Sequence, residues 1–144
     1  MYYLAYGSNL NISDMKIRCP KARLVGNAIL NDHRLLFCGE PQASWLTVKP
    51  CKGEYVPVGI WEIAASDEAS MDIYEGYPEL YDKKTITVSF HNEMVEALIY
   101  IMNDMFSEAV PAQSYVDACV QGYHDFSMDI HILEKALRHC GYNG

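Results

Sequence analysis

The stretch Tyr6-Gly7-Ser8-Asn9 lies where an apolar run of the chain ends, and its backbone could bind an anion. Residues 2–6 suit a buried strand, and a turn that opens a helix after it leaves several backbone N–H groups without intrahelical acceptors. Such donors can hold an anionic group or an oxyanion that develops during a reaction. The same letters also fit a structural turn, in which Gly7 permits the bend and Ser8 or Asn9 caps the helix.

A second candidate for chemistry is Glu75, which stands between Tyr74 and Tyr77 in the segment DIYEGYPELY. A carboxyl group partly buried among aromatic rings has its charged form disfavoured, which raises its pKa towards the neutral range useful for proton transfer. The alternative is an exposed glutamate in the last turn of a surface helix, a description that also fits Asp72 and Glu79. The local pattern leaves both alternatives open.

The cysteines and histidines form no recognisable site. The five cysteines are scattered without a C-x-x-C pair, which predicts reduced structural thiols rather than disulfides or zinc ligands. The histidines also lack ligand spacing, so we predict no metal site. A nucleophile made of a cysteine or Ser8 with a base stays open, although nothing in the sequence brings such a pair together.

A strand at residues 2–6 and a short helix after it must position the turn. The helix, within residues 12–20, would follow Asn9 or Asn11 as its cap and end before Pro20. Six further segments are mostly rich in β-branched or aromatic residues and are bounded by Gly, Pro, Asn or Asp. They predict strands at residues 22–30, 33–39, 44–50, 56–63, 84–90 and 95–102.

Three further helices complete the predicted fold. The segment 66–77 would carry Glu75, with Ser66 as its cap and with Gly76 and Pro78 after its end. Two amphipathic segments predict helices within residues 111–123 and 129–141, the second ended by Gly141.

We predict one α+β domain over residues 1–144. It would be a small, mostly antiparallel β-barrel, closed or nearly closed, with flanking α-helices. The separators 51–55 and 91–94 between predicted strands have the composition of hairpin turns.

Charge and composition exclude some classes of partner. The net charge of −8, without any cluster of Lys and Arg, argues against nucleic-acid binding. The chain has neither a signal-peptide pattern nor an apolar run of about 18 residues, so we predict a cytoplasmic protein with no membrane segment. Basic residues concentrate in residues 1–52, whereas residues 53–82 contain no Lys or Arg. This asymmetry suits a zwitterionic ligand between the two regions, or solvated surfaces of mixed sign.

Four motifs together resemble the γ-glutamylcyclotransferase family, whose fold is a small β-barrel flanked by helices. They are YYLAYGSNLN with the downstream RCP, VPVGIWEI, MDIYEGYPELY and PAQSYVDACVQGY, in the family's order and approximate spacing. The resemblance spans nearly the whole chain. The YGSL variant of the glutathione-specific branch is absent, which implies the branch that acts on γ-glutamyl amino acids or γ-glutamyl amines.

The resemblance also implies site residues. Glu75 matches the family's proton-transferring carboxylate, Tyr81 an active-site tyrosine and Tyr115 a second substrate contact. The interval between Glu75 and Tyr81 is one residue shorter than in some relatives and contains Pro78. The implied substrate-binding loop comprises Tyr3, Leu4, Ala5, Tyr6, Gly7, Ser8, Asn9 and Leu10.

The reaction implied by the resemblance is intramolecular and needs no metal or cofactor. The α-amine of a small γ-glutamyl substrate attacks its own γ-carbonyl, forms 5-oxoproline and expels an amine or amino acid. Glu75 would move the protons, and N–H groups from Gly7 to Leu10 would hold the anionic groups. Two alternatives stay open: a non-catalytic binder of γ-glutamyl or related amino-acid ligands, and a hydrolase with a Ser or Cys nucleophile.

Overall fold

The computed structural model describes all 144 residues, and its central element is a six-stranded sheet. The order across the sheet is β4-β5-β1-β3-β2-β6. Only β1 and β5 pair in parallel, so the prediction of a mostly antiparallel sheet is confirmed. The strands are β1 (Tyr2–Ala5), β2 (Arg23–Glu40), β3 (Ala43–Glu62), β4 (Tyr81–Phe90), β5 (Glu93–Met102) and β6 (Ser107–Glu108).

The sheet curls into a half-barrel, which confirms the predicted fold class. Gly26 in β2 and Phe90 in β4 approach each other although their strands are not neighbours in the sheet. A Cβ atom on Gly26 would lie only 2.9 Å from Cε1 of Phe90. The curl therefore brings strands from the two sides of the sheet together around a shared interior.

The prediction that residues 31–32 and residues 51–55 each separate two short strands is wrong. β2 and β3 are single long strands that pair with each other on both sides of a bulge, which lies between the pairs Asn31–Tyr55 and His33–Pro50. Residues 51–55 therefore do not form a hairpin between separate strands, because the chain rejoins the same partner after them. The predicted hairpin at 91–94 is confirmed: His91 and Asn92 adopt positive φ angles of 51° and 64° between β4 and β5.

Four helices and one 3₁₀ turn (Ser8–Leu10) accompany the sheet. Asn11 caps the first helix, because its Oδ1 accepts a hydrogen bond from the N–H of Asp14 over 3.1 Å. Gly76 and Gly141 end the second and fourth helices in left-handed conformation, as predicted. The helices are α1 (Ile12–Arg18), α2 (Ala65–Glu75), α3 (Gln113–Asp125) and α4 (His131–Cys140).

The prediction that Ser66 caps α2 is wrong. The helix begins at Ala65, two residues earlier than a cap at Ser66 would place it, and Ala64 occupies the capping position. The buried carboxylate of Asp67 accepts the N–H of Ala64 over 3.0 Å. The side chain of the third helical residue therefore accepts a hydrogen bond from the capping residue, and the expected serine cap is absent.

The hydrophobic core is one cluster of buried side chains from the sheet and the helices. Its largest fully buried side chains include Leu4 of β1, Phe37 of β2, Ile60 of β3 and Tyr123 of α3. None of the four helices combines the length and hydropathy that a membrane-spanning helix requires. β1 lies between β5 and β3 in the sheet, and the 3₁₀ turn follows it in the chain.

Candidate active site

The 3₁₀ turn after β1 is fixed from three sides. Within it, the N–H of Leu10 donates to the carbonyl of Gly7 over 3.0 Å. From β3, the indole N–H of Trp61 donates to the carbonyl of Asn9 over 2.9 Å. From α3, Gly122 packs so closely that a Cβ atom there would lie 2.7 Å from Cβ of Leu10. The turn is therefore a rigid part of the fold rather than a free loop.

Glu75 is the last residue of α2 and follows the buried Met71 by one helical turn. Its side chain therefore lies on the inward face of the helix. Glu79 lies beyond the helix and is exposed, and Asp72 binds Lys83 at the surface. The exposed-glutamate alternative thus fits Glu79 and does not fit Glu75, which is half-buried.

The turn and Glu75 line one cavity of about 170 Å³. Eight of the predicted site residues lie in its wall: Tyr3, Tyr6, Gly7, Ser8, Asn9, Glu75, Tyr81 and Tyr115. Leu4, Ala5 and Leu10 do not line it and are buried in the core instead. The remaining wall consists of residues that the sequence did not indicate, namely Trp45, Leu46, Tyr74, Leu80 and Tyr100.

Burial raises the pKa of Glu75 to about 7, because the aromatic surroundings disfavour its charged form. The positive charge of Arg18 and a hydrogen bond from Asn9 act in the opposite direction. That bond runs from Nδ2 of Asn9 to Oε1 of Glu75 over 3.3 Å. Near neutral pH, Glu75 can therefore both accept and release a proton, which is the property expected of an acid–base group.

The hydroxyl groups of Tyr81 and Tyr115 both bind the backbone of one residue of β3, Leu46. Tyr81 donates to the carbonyl of Leu46 over 2.6 Å, and the N–H of Leu46 donates to the hydroxyl oxygen of Tyr115 over 3.0 Å. Burial raises the pKa of both tyrosines, so both are neutral at physiological pH. Their hydroxyl groups therefore hold Leu46, and with it this part of the cavity wall, in place.

The cavity presents no nucleophile paired with a base. Its wall contains no cysteine and no histidine. The only aliphatic hydroxyl in the wall belongs to Ser8, whose Oγ forms its hydrogen bond with the hydroxyl of Tyr74 over 2.9 Å. The backbone N–H of Gly7, in contrast, donates to no acceptor in the protein, whereas that of Leu10 is used within the turn. The cavity wall thus combines one carboxyl group with a turn in which the N–H of Gly7 is unpaired.

Comparison with known proteins identifies the family. The sequence model of the "Gamma-glutamyl cyclotransferase, AIG2-like" family matches residues 3–120, which include the turn, α2 and the start of α3. The chain belongs to this family. The match contains every residue that lines the cavity.

Solved structures share the family fold. One described as "Gamma-glutamyl cyclotransferase" superposes with a TM-score of 0.85 at 24% identity, over 99% of this chain and 89% of that chain. The human protein loc79017, described as uncharacterized, gives a TM-score of 0.83 at 25% identity, over 99% and 88% of the two chains. YkqA from Bacillus subtilis gives 0.81 at 19% identity, over 100% of this chain and 56% of YkqA. A search of curated proteins finds no significant match.

Proposed function

We propose that this member of the γ-glutamyl cyclotransferase family is an active enzyme that converts a γ-glutamyl amino acid or γ-glutamyl amine to 5-oxoproline. One observation carries the proposal: a carboxyl group with a pKa of about 7, Glu75, lies in the same small cavity as the Gly7–Asn9 turn. The volume of about 170 Å³ suits the glutamyl part of such a substrate, with the leaving group directed towards solvent.

The reaction begins with activation of the substrate's own nucleophile. Glu75 in its carboxylate form accepts a proton from the α-ammonium group and leaves a free amine. Because the raised pKa makes Glu75 a stronger base than an ordinary glutamate, it lowers the free-energy cost of this transfer. The amine nitrogen then attacks the γ-carbonyl carbon of the same molecule, and tethering supplies much of the required proximity.

Ring closure and amide cleavage complete the reaction. The attack forms the new C–N bond and places negative charge on the carbonyl oxygen, which the unpaired N–H of Gly7 can stabilise. When the original C–N bond breaks, the proton held by Glu75 passes to the leaving nitrogen. The ring nitrogen then releases a second proton. The departing amine accepts this proton and becomes an ammonium ion. The products are 5-oxoproline and the free amine or amino acid.

The two alternatives receive less support from the same residues. A binding protein has no need of a carboxyl group whose charged form is destabilised by burial, and Glu75 carries that cost. A Ser or Cys hydrolase needs a base beside its nucleophile, and Ser8 has Tyr74 as its partner.

A substrate panel tests the proposal. Purified protein is incubated with γ-glutamyl amino acids and γ-glutamyl amines, and 5-oxoproline is quantified by mass spectrometry. We expect release from at least one class, and the class identifies the leaving group. The absence of 5-oxoproline from every compound, including those that bind by calorimetry, would support the binding alternative and overturn the proposal.

A further inference from the structure

Arg18, the last residue of α1, connects the 3₁₀ turn to the end of α2. Its guanidinium donates a hydrogen bond to Oδ1 of Asn9 in the turn. The same group stacks on Tyr74 of α2, with its central carbon 3.5 Å from the centroid of the ring. Arg18 does not line the cavity, so these contacts act on residues that do.

The bond from Arg18 determines which way the side-chain amide of Asn9 points. With Oδ1 directed at Arg18, Nδ2 faces the hydroxyl of Tyr3 at 2.8 Å and Oε1 of Glu75 at 3.3 Å. A rotated amide would place its oxygen against the carboxylate and its NH₂ against the guanidinium, and both contacts would be repulsive. Arg18 therefore selects the orientation in which Asn9 donates to Glu75.

The stacking contact fixes a second part of the cavity wall. Tyr74 is 43% exposed, so burial alone does not hold its ring. Arg18 covers one face of the ring, and the hydroxyl of Tyr74 bonds Oγ of Ser8 over 2.9 Å. A planar guanidinium can make the stack and the hydrogen bond at once, which a lysine ammonium cannot do in the same way.

Arg18 is also the charged side chain that acts on Glu75. The remaining groups that face Glu75 from the packed elements are hydroxyls with raised pKa values, and they are neutral: Tyr3 of β1, Tyr6 after it, Tyr81 of β4, Tyr100 of β5 and Tyr115 of α3. Asn9 supplies a neutral hydrogen bond. Removal of the guanidinium would thus leave the carboxylate without an opposite charge.

We propose that Arg18 is a positioning residue, which orders Asn9 and Tyr74 around Glu75 and supports its ionised form without touching the substrate. The proposal rests on the proposed function, since it assigns Arg18 a task in that reaction. Sequence reasoning found the arginine only as part of the RCP motif and gave it no role.

Two substitutions and one control test the proposal. Arg18→Met keeps an aliphatic stem but removes the charge and the donor, and Arg18→Lys restores the charge alone. Lys16→Met removes an exposed charge from the same helix, where Lys16 makes no ion pair. For each protein, the ionisation of Glu75 is followed by NMR of ¹³C-labelled glutamate, and kcat is measured across pH for the best panel substrate.

We expect Arg18→Met to raise the pKa of Glu75 and to shift the rising limb of the kcat profile to higher pH. We expect kcat at pH 7 to fall between about tenfold and 100-fold, because misplaced catalytic groups cost rate steeply. Arg18→Lys should return the rising limb of the kcat profile close to its wild-type pH, whereas its maximal kcat should recover less. Lys16→Met should change neither the limb nor the maximal kcat.

An unmoved pKa of Glu75 in folded Arg18→Met would overturn the role of Arg18, as would a fall in kcat with no shift of the limb. Circular dichroism establishes that the variant is folded. The NMR titration needs no turnover, so it tests Arg18 even for a protein that releases no 5-oxoproline. A protein that releases no 5-oxoproline would contradict the proposed function and not the role of Arg18.

Discussion

The amide Nδ2 of Asn9 lies 3.3 Å from Oε1 of Glu75 and donates a hydrogen bond to it, although 66 residues separate the two in the sequence. The bond joins the 3₁₀ turn after β1 to the end of α2 in the cavity wall. Asn9 therefore does not cap α1; Asn11 does. A polar residue that the sequence could equally assign to a helix cap instead contacts the one carboxyl group in the cavity wall.

Replacement of Glu75 by Gln should lower kcat by about two to four orders of magnitude, because glutamine keeps the shape but cannot accept the proton. Substrate binding, measured by calorimetry, should change little. Glu79→Gln is the matched control, since Glu79 is exposed and lies outside the cavity. Equal losses at the two positions would mean that Glu75 has been assigned the wrong role.

The same Glu75→Gln variant should gain stability relative to the wild type as pH rises. In the unfolded chain the carboxyl group ionises near its usual pKa, whereas in the folded chain it ionises at about 7. Folding stability is therefore lost as pH rises from about 4.5 to 7, and the loss is complete above the folded pKa.

Urea unfolding at pH 4 and pH 8.5 measures this effect. The difference in the free energy of unfolding between the variant and the wild type should grow by about 3 kcal/mol over that interval. A pH-independent difference would show that burial does not raise the pKa of Glu75.

Replacement of Tyr81 by Phe should act on stability more than on chemistry. It removes the hydrogen bond to the buried carbonyl of Leu46, at a cost of about 1 kcal/mol in the free energy of unfolding. We expect kcat to fall by less than about tenfold, because the ring that lines the cavity is kept. A loss of kcat beyond 100-fold with an unchanged melting temperature would instead assign the hydroxyl a part in proton transfer.

Local sequence signals predicted the supports of the site well. The apolar run before Gly7 correctly predicted the central strand. Asn11 caps the start of α1 and Gly76 the end of α2, as their capping preferences predicted. Capping and turn preferences depend on neighbouring residues only, so the sequence carries them directly.

The cavity wall was harder to predict, because it depends on the curl of the sheet. Trp45 of β3 and Tyr100 of β5 line the cavity from positions outside the four motifs, and no local pattern marks them. The contiguous loop taken from the family resemblance included Leu4, which lies in the core. Alternation along a strand sends consecutive side chains to opposite faces, so Leu4 and Tyr3 cannot both face one ligand.

The long strands were divided for a related reason. The segments 31–32 and 51–55 have turn composition, yet the ladder between β2 and β3 continues beyond them. Pairing across the sheet overrides local composition there, and a bulge absorbs the unmatched residues.

The identity of the product in isotopically labelled water tests the central claim most directly. The wild-type protein is incubated with its best γ-glutamyl substrate and, separately, with the N-acetylated form of that substrate, in water enriched in heavy oxygen. If the α-amine attacks, the product is 5-oxoproline without solvent oxygen, and the N-acetyl compound is not turned over. Glutamate that carries the heavy oxygen, or turnover of the N-acetyl compound, would contradict the cyclisation assigned to this cavity.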